Sequence, residues 1–215
     1  MSRFMKKFWR SNKSILLFVT LMLVFRSAIA DWSDVPTGSM KPTILEGDRV
    51  FVNKMAYDIR LPFSHISLLK LDDPKTNEII IFDSKVADKR LIKRVIGVPG
   101  DIVAMQNNRL SINGKSVSYQ VDTQFNDKTY QIEQINEISH LVTTSRVPSK
   151  LANFSAVEVP QGHYLVLGDN RDKSADSRVI GFVPRHEIVG RSQYVVLSLD
   201  YKKWLPRAER FFHEL

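Results

Sequence analysis

From Asp31 to Leu215 the chain is cut into short apolar runs by turn residues, a rhythm that narrows its possible folds more than any other feature. Residues 48–54, 78–83, 91–98, 163–168 and 193–198 each read as a strand, and Pro99-Gly100-Asp101 closes the third with a strong turn signal. Residues 109–117 alternate about Asn113-Gly114, the signature of a type I′ hairpin. Strands this short, with turns this frequent, predict a mainly β chain built as an antiparallel sheet or barrel-like domain. Only Pro206–Glu214 shows helical periodicity within this body. The stretch from about 120 to 150 is rich in Gln, Asn, Thr and Ser. It predicts a β cap or insertion on the main sheet, spanning about 105–160. The sequence holds no internal repeat and no low-complexity tract.

The formal net charge of +8 invites a nucleic-acid reading, but its distribution argues against one. Arg3, Lys6, Lys7, Arg10 and Lys13 crowd the first 13 residues without an acid, and Arg26 adds one more. The remainder holds 25 basic and 23 acidic residues, too balanced to pull on a phosphate backbone. The basic stretch instead precedes Ser14–Phe25, an apolar run, followed by Arg26 and Ala28-Ile29-Ala30. A basic flank before an apolar run fits both a membrane anchor over 14–30 and a secretory signal cleaved at the A-x-A site. The uninterrupted run is short against the roughly 20 residues that a bilayer requires. Arg26 snorkelling and Trp32 at the interface would extend it. In either case the positive-inside rule places residues 1–13 in the cytoplasm and the body, 31–215, across the membrane.

The chain has no Cys, which removes disulfides, a thiol nucleophile and thiolate metal sites. Three segments stand out for chemistry. Pro36-Thr37-Gly38-Ser39-Met40-Lys41-Pro42-Thr43 sets a serine in an uncrowded turn between two prolines. It is not a G-x-S-x-G elbow, and an ordinary loop serine is the alternative. Lys93 lies among Leu91, Ile92, Val95 and Ile96, where burial would lower its pKa and leave a neutral amine able to act as a general base. A snorkelling edge-strand lysine is the alternative there. The dense polar loop Gly168–Arg178 lacks the Gly and Glu of a calcium loop, so no metal is expected. His65, His140, His163, His186 and His213 form no H-E-x-x-H pattern and read as structural.

Together, the basic apolar N-terminus, P-T-G-S-M-K-P-T, K-R-V-I-G-V-P-G-D and G-D-N-R-D-K-S-A-D-S-R with G-F-V-P after it resemble bacterial signal peptidase I in order and in spacing. The resemblance implies a mostly antiparallel β catalytic domain behind one N-terminal transmembrane helix. It implies a membrane-bound serine endopeptidase that removes signal peptides from exported preproteins after small residues, without a cofactor. Ser39 is then the nucleophile and Lys93 its general base. Thr37 supports the oxyanion hole, Ser174 orients the Lys93 amine, and Asp176 and Arg178 form a supporting ion pair. Val35, Met40, Ile44, Ile81 and Ile92 align with walls of the substrate pocket. The partners implied are signal peptides and the lipid bilayer. The location implied is the bacterial inner membrane, with a cytoplasmic N-terminus and the catalytic domain outside, and it favours an uncleaved anchor.

Two positions depart from the family pattern. Thr76-Asn77-Glu78 stands where Arg-Gly-Asp is usual, and Thr37 replaces the commoner Ser with a β-branched hydroxyl of restricted χ1. The rival readings are a dedicated peptidase of the same fold for conjugation or pilus systems, and a tethered β-domain that only binds a partner. The second gives no reason for Ser39, Lys93 and Ser174 to occur together.

Overall fold

The computed structural model describes residues 3–64 and 66–215, with side chains from residue 12 onward apart from His65. The basic side chains of Arg3, Lys6, Lys7 and Arg10 therefore lie outside the described residues, as does His65. Arg3–Ala28 is one α-helix, and nearly all the rest is strand and turn. The helix is about 39 Å long at 1.5 Å per residue, but its apolar run, Ile15–Phe25, spans only about 16 Å between Lys13 and Arg26. Among the described residues no helix is long and apolar enough to cross a membrane. Within that run Thr20 donates its hydroxyl hydrogen to the Leu16 carbonyl at 2.8 Å, so the one polar side chain is satisfied by its own helix.

The main sheet has ten strands. Its central members are His163–Leu167, Lys89–Gly97, Ile79–Ser84, Ile188–Ser192, Asp48–Asn53 and Tyr194–Asp200, adjacent in that order. Ala30–Asp34 pairs with Asp48–Asn53 and lies directly after the helix. Every ladder is antiparallel, and one isolated parallel bridge joins Thr143 to Asn170. Ile79, Ile80, Ile81 and Phe82 are all buried, so this central strand is covered on both faces, as its unbroken apolar run requires.

Three smaller units complete the body. Ser118–Phe125, Lys128–Ile135 and Ile138–Ser145 form a three-stranded meander. Ile102–Gln106, Arg109–Ile112, Lys115–Ser116 and Phe154–Glu158 form a second small sheet. At its hairpin Asn113 and Gly114 take φ of 52° and 76°, the left-handed pair that a type I′ turn needs. Asp58–Arg60 and Ser67–Lys70 form an isolated ribbon.

The C-terminal segment differs from its helical expectation. Pro206–Glu214 contains only a 3-10 turn at Ala208–Arg210 and a two-residue strand, His213–Glu214. Phe212 adopts φ 55°, outside the helical region, and the Arg210 guanidinium pairs with buried Asp48 at 2.6 Å. The apolar spacing there serves strand pairing and this ion pair instead of a helix face.

Candidate active site

Ser39 sits in a 3-10 turn, Gly38–Met40, that follows Thr37 in extended conformation. Met40 behind it is 1% exposed and packs with Val35, Ile44, Ile81 and Ile92 in one core cluster. The turn is therefore fastened to the core by the residue next to the serine, while Ser39 itself is only half-buried.

Lys93 enters from the Lys89–Gly97 strand, paired with Ile80 across the ladder. It is 2% exposed, and its Nζ lies 2.8 Å from Ser39 Oγ and 2.9 Å from the Ile92 carbonyl. Burial lowers its pKa to about 8, against the opposing pull of Asp176 and Asp169. A hydroxyl and a poorly solvated amine at hydrogen-bond distance form a nucleophile–base pair in geometry.

The Gly168–Arg178 loop braces this pair from behind. Asn170 Nδ2 donates to the Gly38 carbonyl at 2.9 Å, and its backbone N–H donates to the Ser39 carbonyl at 3.1 Å. Asp169 is fully buried and accepts from Arg94 Nε and Nη2 at 2.9 and 2.8 Å and from the Thr43 hydroxyl at 2.5 Å. Burial alone would raise the Asp169 pKa; the Arg94 guanidinium outweighs it and holds the carboxyl below its usual range. Arg94 also donates to the Asn77 carbonyl at 2.9 Å. Asn77 has φ 74°, so it supplies the left-handed turn for which the related motif uses Gly. Asn170, Asp169 and Thr43 lie within segments that the sequence marks, and Asn77 within a departure from the family pattern, but no bracing role can be read there for any of them because their partners lie elsewhere in the chain.

The other expected residues fall around the same point. Asp176 and Arg178 pair at 2.7 Å with almost no exposure. Asp176 also accepts the Gly168 N–H at 3.0 Å, and Arg178 donates to the Leu151 and Arg171 carbonyls. Thr37 is exposed at the mouth of the site and makes no capping bond to the turn. Ser174 is buried, but its Oγ makes no hydrogen bond among the described residues. The expected contact to Lys93 is absent; the amine bonds Ser39 Oγ and the Ile92 carbonyl. Ser174 nevertheless borders the nucleophile's backbone. A Cβ placed on Gly168 would lie 2.3 Å from Ser174 Oγ and 2.4 Å from the Ser39 carbonyl oxygen, so only Gly fits between them.

A groove of about 250 Å³ opens onto Ser39 and Lys93. Val35, Met40, Ile44 and Ile92 line it together with Pro36, Thr37 and Leu91. Ile81, also expected in the wall, is fully buried behind that lining and does not reach the groove. Both borders of the groove have free strand edges. Ala30–Asp34 pairs on one side only, and the Lys89–Gly97 strand joins His163–Leu167 only from Arg94 onward. Among the described residues no cluster of His, Asp and Glu could hold a metal ion. Larger clefts of about 670 and 850 Å³ lie elsewhere and contain neither Ser39 nor Lys93.

The family model described as signal peptidase, peptidase S26, matches residues 8–197. A signal peptidase I of Pseudomonas fluorescens is 34% identical over 207 residues, covering 87% of this chain and 72% of that protein. A signal peptidase I of Pseudomonas aeruginosa is 34% identical over 204 residues, with the same coverage of both chains. The crystal structure of a signal peptidase I from Enterococcus faecalis is 30% identical, covering 57% of this chain and 98% of that one, with a TM-score of 0.38.

Proposed function

The chain belongs to the signal peptidase family, peptidase S26, and from that premise we propose that it is a membrane-anchored endopeptidase working through a Ser39–Lys93 dyad. The observation that carries the mechanism is the 2.8 Å approach of Lys93 Nζ to Ser39 Oγ, with the amine buried and its pKa lowered to about 8. Neutral Lys93 takes the Ser39 proton as Oγ attacks the scissile carbonyl, then gives that proton to the departing amine. Water enters and loses a proton to Lys93 Nζ as it attacks the acyl carbon, and Lys93 returns that proton to Ser39 Oγ as the acyl bond breaks.

The remaining roles follow from position. The Ser39 N–H belongs to the first turn of a short helix, where amides have no partner within the helix, and it faces the developing oxyanion with the exposed Thr37 hydroxyl. An extended substrate adds as a strand between the free edges of Ala30–Asp34 and Lys89–Ile92. Its residue before the cut enters the groove beside Ser39, against Val35, Met40, Ile44 and Ile92.

The Arg3–Ala28 helix anchors the chain, with residues 1–13 in the cytoplasm and the catalytic domain outside, where signal peptides of exported preproteins emerge. Cleavage of a purified preprotein by the wild type, Ser39→Ala and Lys93→Ala tests the dyad. Each variant is expected to lose at least about 10³-fold in rate. Wild-type turnover by either one would refute the assignment.

A further inference from the structure

We propose that Lys89 is a specificity-determining residue that binds an acidic side chain at the fourth substrate residue before the cut; this rests on the peptidase reading above. Outside the dyad, three charged side chains line the groove: Asp34, Lys89 and Arg90. Two of them are already paired. Asp34 accepts from Arg49 Nε at 2.6 Å, and Arg90 donates to both carboxylate oxygens of Asp83, at 2.7 and 3.0 Å. Lys89 is exposed, lies opposite the uncharged Ser84 in the ladder, and has no ion pair among the described residues. An uncompensated cation therefore stands on the groove four strand positions before Lys93.

Strand direction and alternation identify the substrate residue that Lys89 meets. Successive antiparallel ladders lead from Ala30–Asp34 through Asp48–Asn53, Ile188–Ser192 and Ile79–Ser84 to Lys89–Gly97, so the two strands bordering the groove run the same way. Both run towards the dyad, because the borders are residues 33–37 and 89–92, which precede Ser39 and Lys93. The acyl side of the substrate fills this groove, so its chain runs parallel to both borders and reaches Ser39 last. The residue before the cut packs against Ile92, on the face of the cluster that holds Val35, Met40 and Ile44. Leu91 packs on the other face, with Ile80 and Phe82, and Lys89 shares that face by alternation. Counted back from the cut, odd substrate positions therefore share the Ile92 face and even positions the Lys89 face. At ~3.3 Å per residue, Lys89 lies about 13 Å back along the strand from Lys93, level with the fourth or fifth substrate residue. Of these two, only the fourth is on its face. A carboxylate there would supply the counter-ion that Lys89 lacks, and a second cation there would be repelled.

The test is steady-state cleavage of one purified preprotein carrying Glu, Gln or Lys at the fourth position, with a parallel set carrying them at the fifth. The full chain is assayed in non-ionic micelles, which offer Lys89 no anionic lipid. Wild type should favour Glu over Gln at the fourth position by about 2- to 5-fold in kcat/KM at low salt, chiefly through KM, and disfavour Lys by a similar factor. The preference should fade at about 1 M salt. Lys89→Gln should bring the three substrates to one value, and Lys89→Glu should invert their order. Comparing substrates within one variant cancels any change that the substitution makes to the basal rate. Equal rates for Glu and Gln in wild type overturn the proposal, as does a Glu preference that survives in Lys89→Gln. A preference seen at the fifth position and not at the fourth overturns it too. If Ser39→Ala cleaves the set as well as wild type does, the peptidase reading fails and the proposal falls with it.

Discussion

Lys93 is useful to the site because it is costly to the fold. Its pKa is lowered from 10.5 to about 8, chiefly by burial, so below pH 8 the native state carries a buried cation, while the unfolded chain holds the same charge in water. Stability should therefore be depressed below pH 8 and recover as the pH rises from 8 towards 10.5, where only the unfolded state is still protonated. The full effect is about 3 kcal/mol, taking about 1.4 kcal/mol per pKa unit. Lys93→Met should abolish cleavage yet raise resistance to urea at pH 6.5, and the gain should vanish near pH 10.5. A Met variant weaker than wild type at both pH values would refute this. The same titration sets the rate. On the acid side, kcat/KM should climb through about pH 8, because only the neutral amine can accept the Ser39 proton. A profile flat from pH 6 to 9 would remove Lys93 as the base.

At the scale of elements, the Gly168–Arg178 loop joins three parts of the chain: the serine turn through Asn170, the lysine strand through Asp169 and Arg94, and the meander through Arg171. Arg171 meets Glu133 through two bonds of 2.6 Å with neither side chain exposed, and Tyr119 donates its hydroxyl hydrogen to the same carboxylate at 2.5 Å. Burial works to raise the Glu133 pKa, but Arg171 and His140 outweigh it and hold the carboxyl well below its usual range. This contribution to stability is complete above the unfolded-state value and is lost as pH falls below it. Glu133→Gln should cost about 3–5 kcal/mol in urea unfolding, since it strands a buried guanidinium, while leaving kcat of the folded fraction nearly unchanged. Gly168→Ala should do the reverse. The loop must shift to admit a Cβ, and a displacement of the site by even ~1 Å costs about 10²-fold in kcat, for a smaller loss of stability. If both variants affect kcat alike, the loop has no separate positioning role. The strands of this scaffold were legible because apolar runs such as Ile79–Phe82 require burial on both faces. The local surroundings of Ser39 and Lys93 left an ordinary loop serine and an edge-strand lysine open; the order and spacing of the three motifs together pointed to the pair. The bracing by Asn170, Asp169 and Asn77 was not legible, because hydrogen bonds spanning 132, 75 and 17 positions, from Asn170 to Gly38, Arg94 to Asp169 and Arg94 to Asn77, leave no periodic trace. The C-terminal segment was misread as helical because apolar spacing over nine residues cannot distinguish a helix from a turn whose Arg210 is drawn to Asp48.

On the scale of the whole molecule, the junction between helix and sheet decides whether the anchor stays attached. Ala28-Ile29-Ala30 has the composition of a cleavage site, but it does not have the conformation of a substrate. Ala30 opens the first strand opposite Asn53, the Ile29 carbonyl accepts the Lys54 N–H at 3.0 Å, and Ala30 is only 9% exposed. Asp31 immediately beyond pairs with Arg26 at 2.7 Å and with Lys54 at 3.2 Å, and the Arg26 guanidinium stacks 4.1 Å from the centre of the Trp32 ring. A peptidase that binds substrate as an added strand needs an extended, unpaired segment about the scissile bond, and here the residues before it end a helix while those after it pair along one edge with Asp48–Asn53. Cleavage after Ala30 would also separate Arg26 from Asp31 and leave the first strand with a ragged end. The protein extracted from membranes should therefore retain the mass of the full sequence, with no species beginning at Asp31. Ser39→Ala serves as the control, because any Asp31 species absent from that variant would be the enzyme's own product and would show that the junction opens. On the proposed anchoring, a junction that stays closed would hold the groove beside Ala30–Asp34 at the membrane surface, within reach of a signal peptide still lodged in the bilayer.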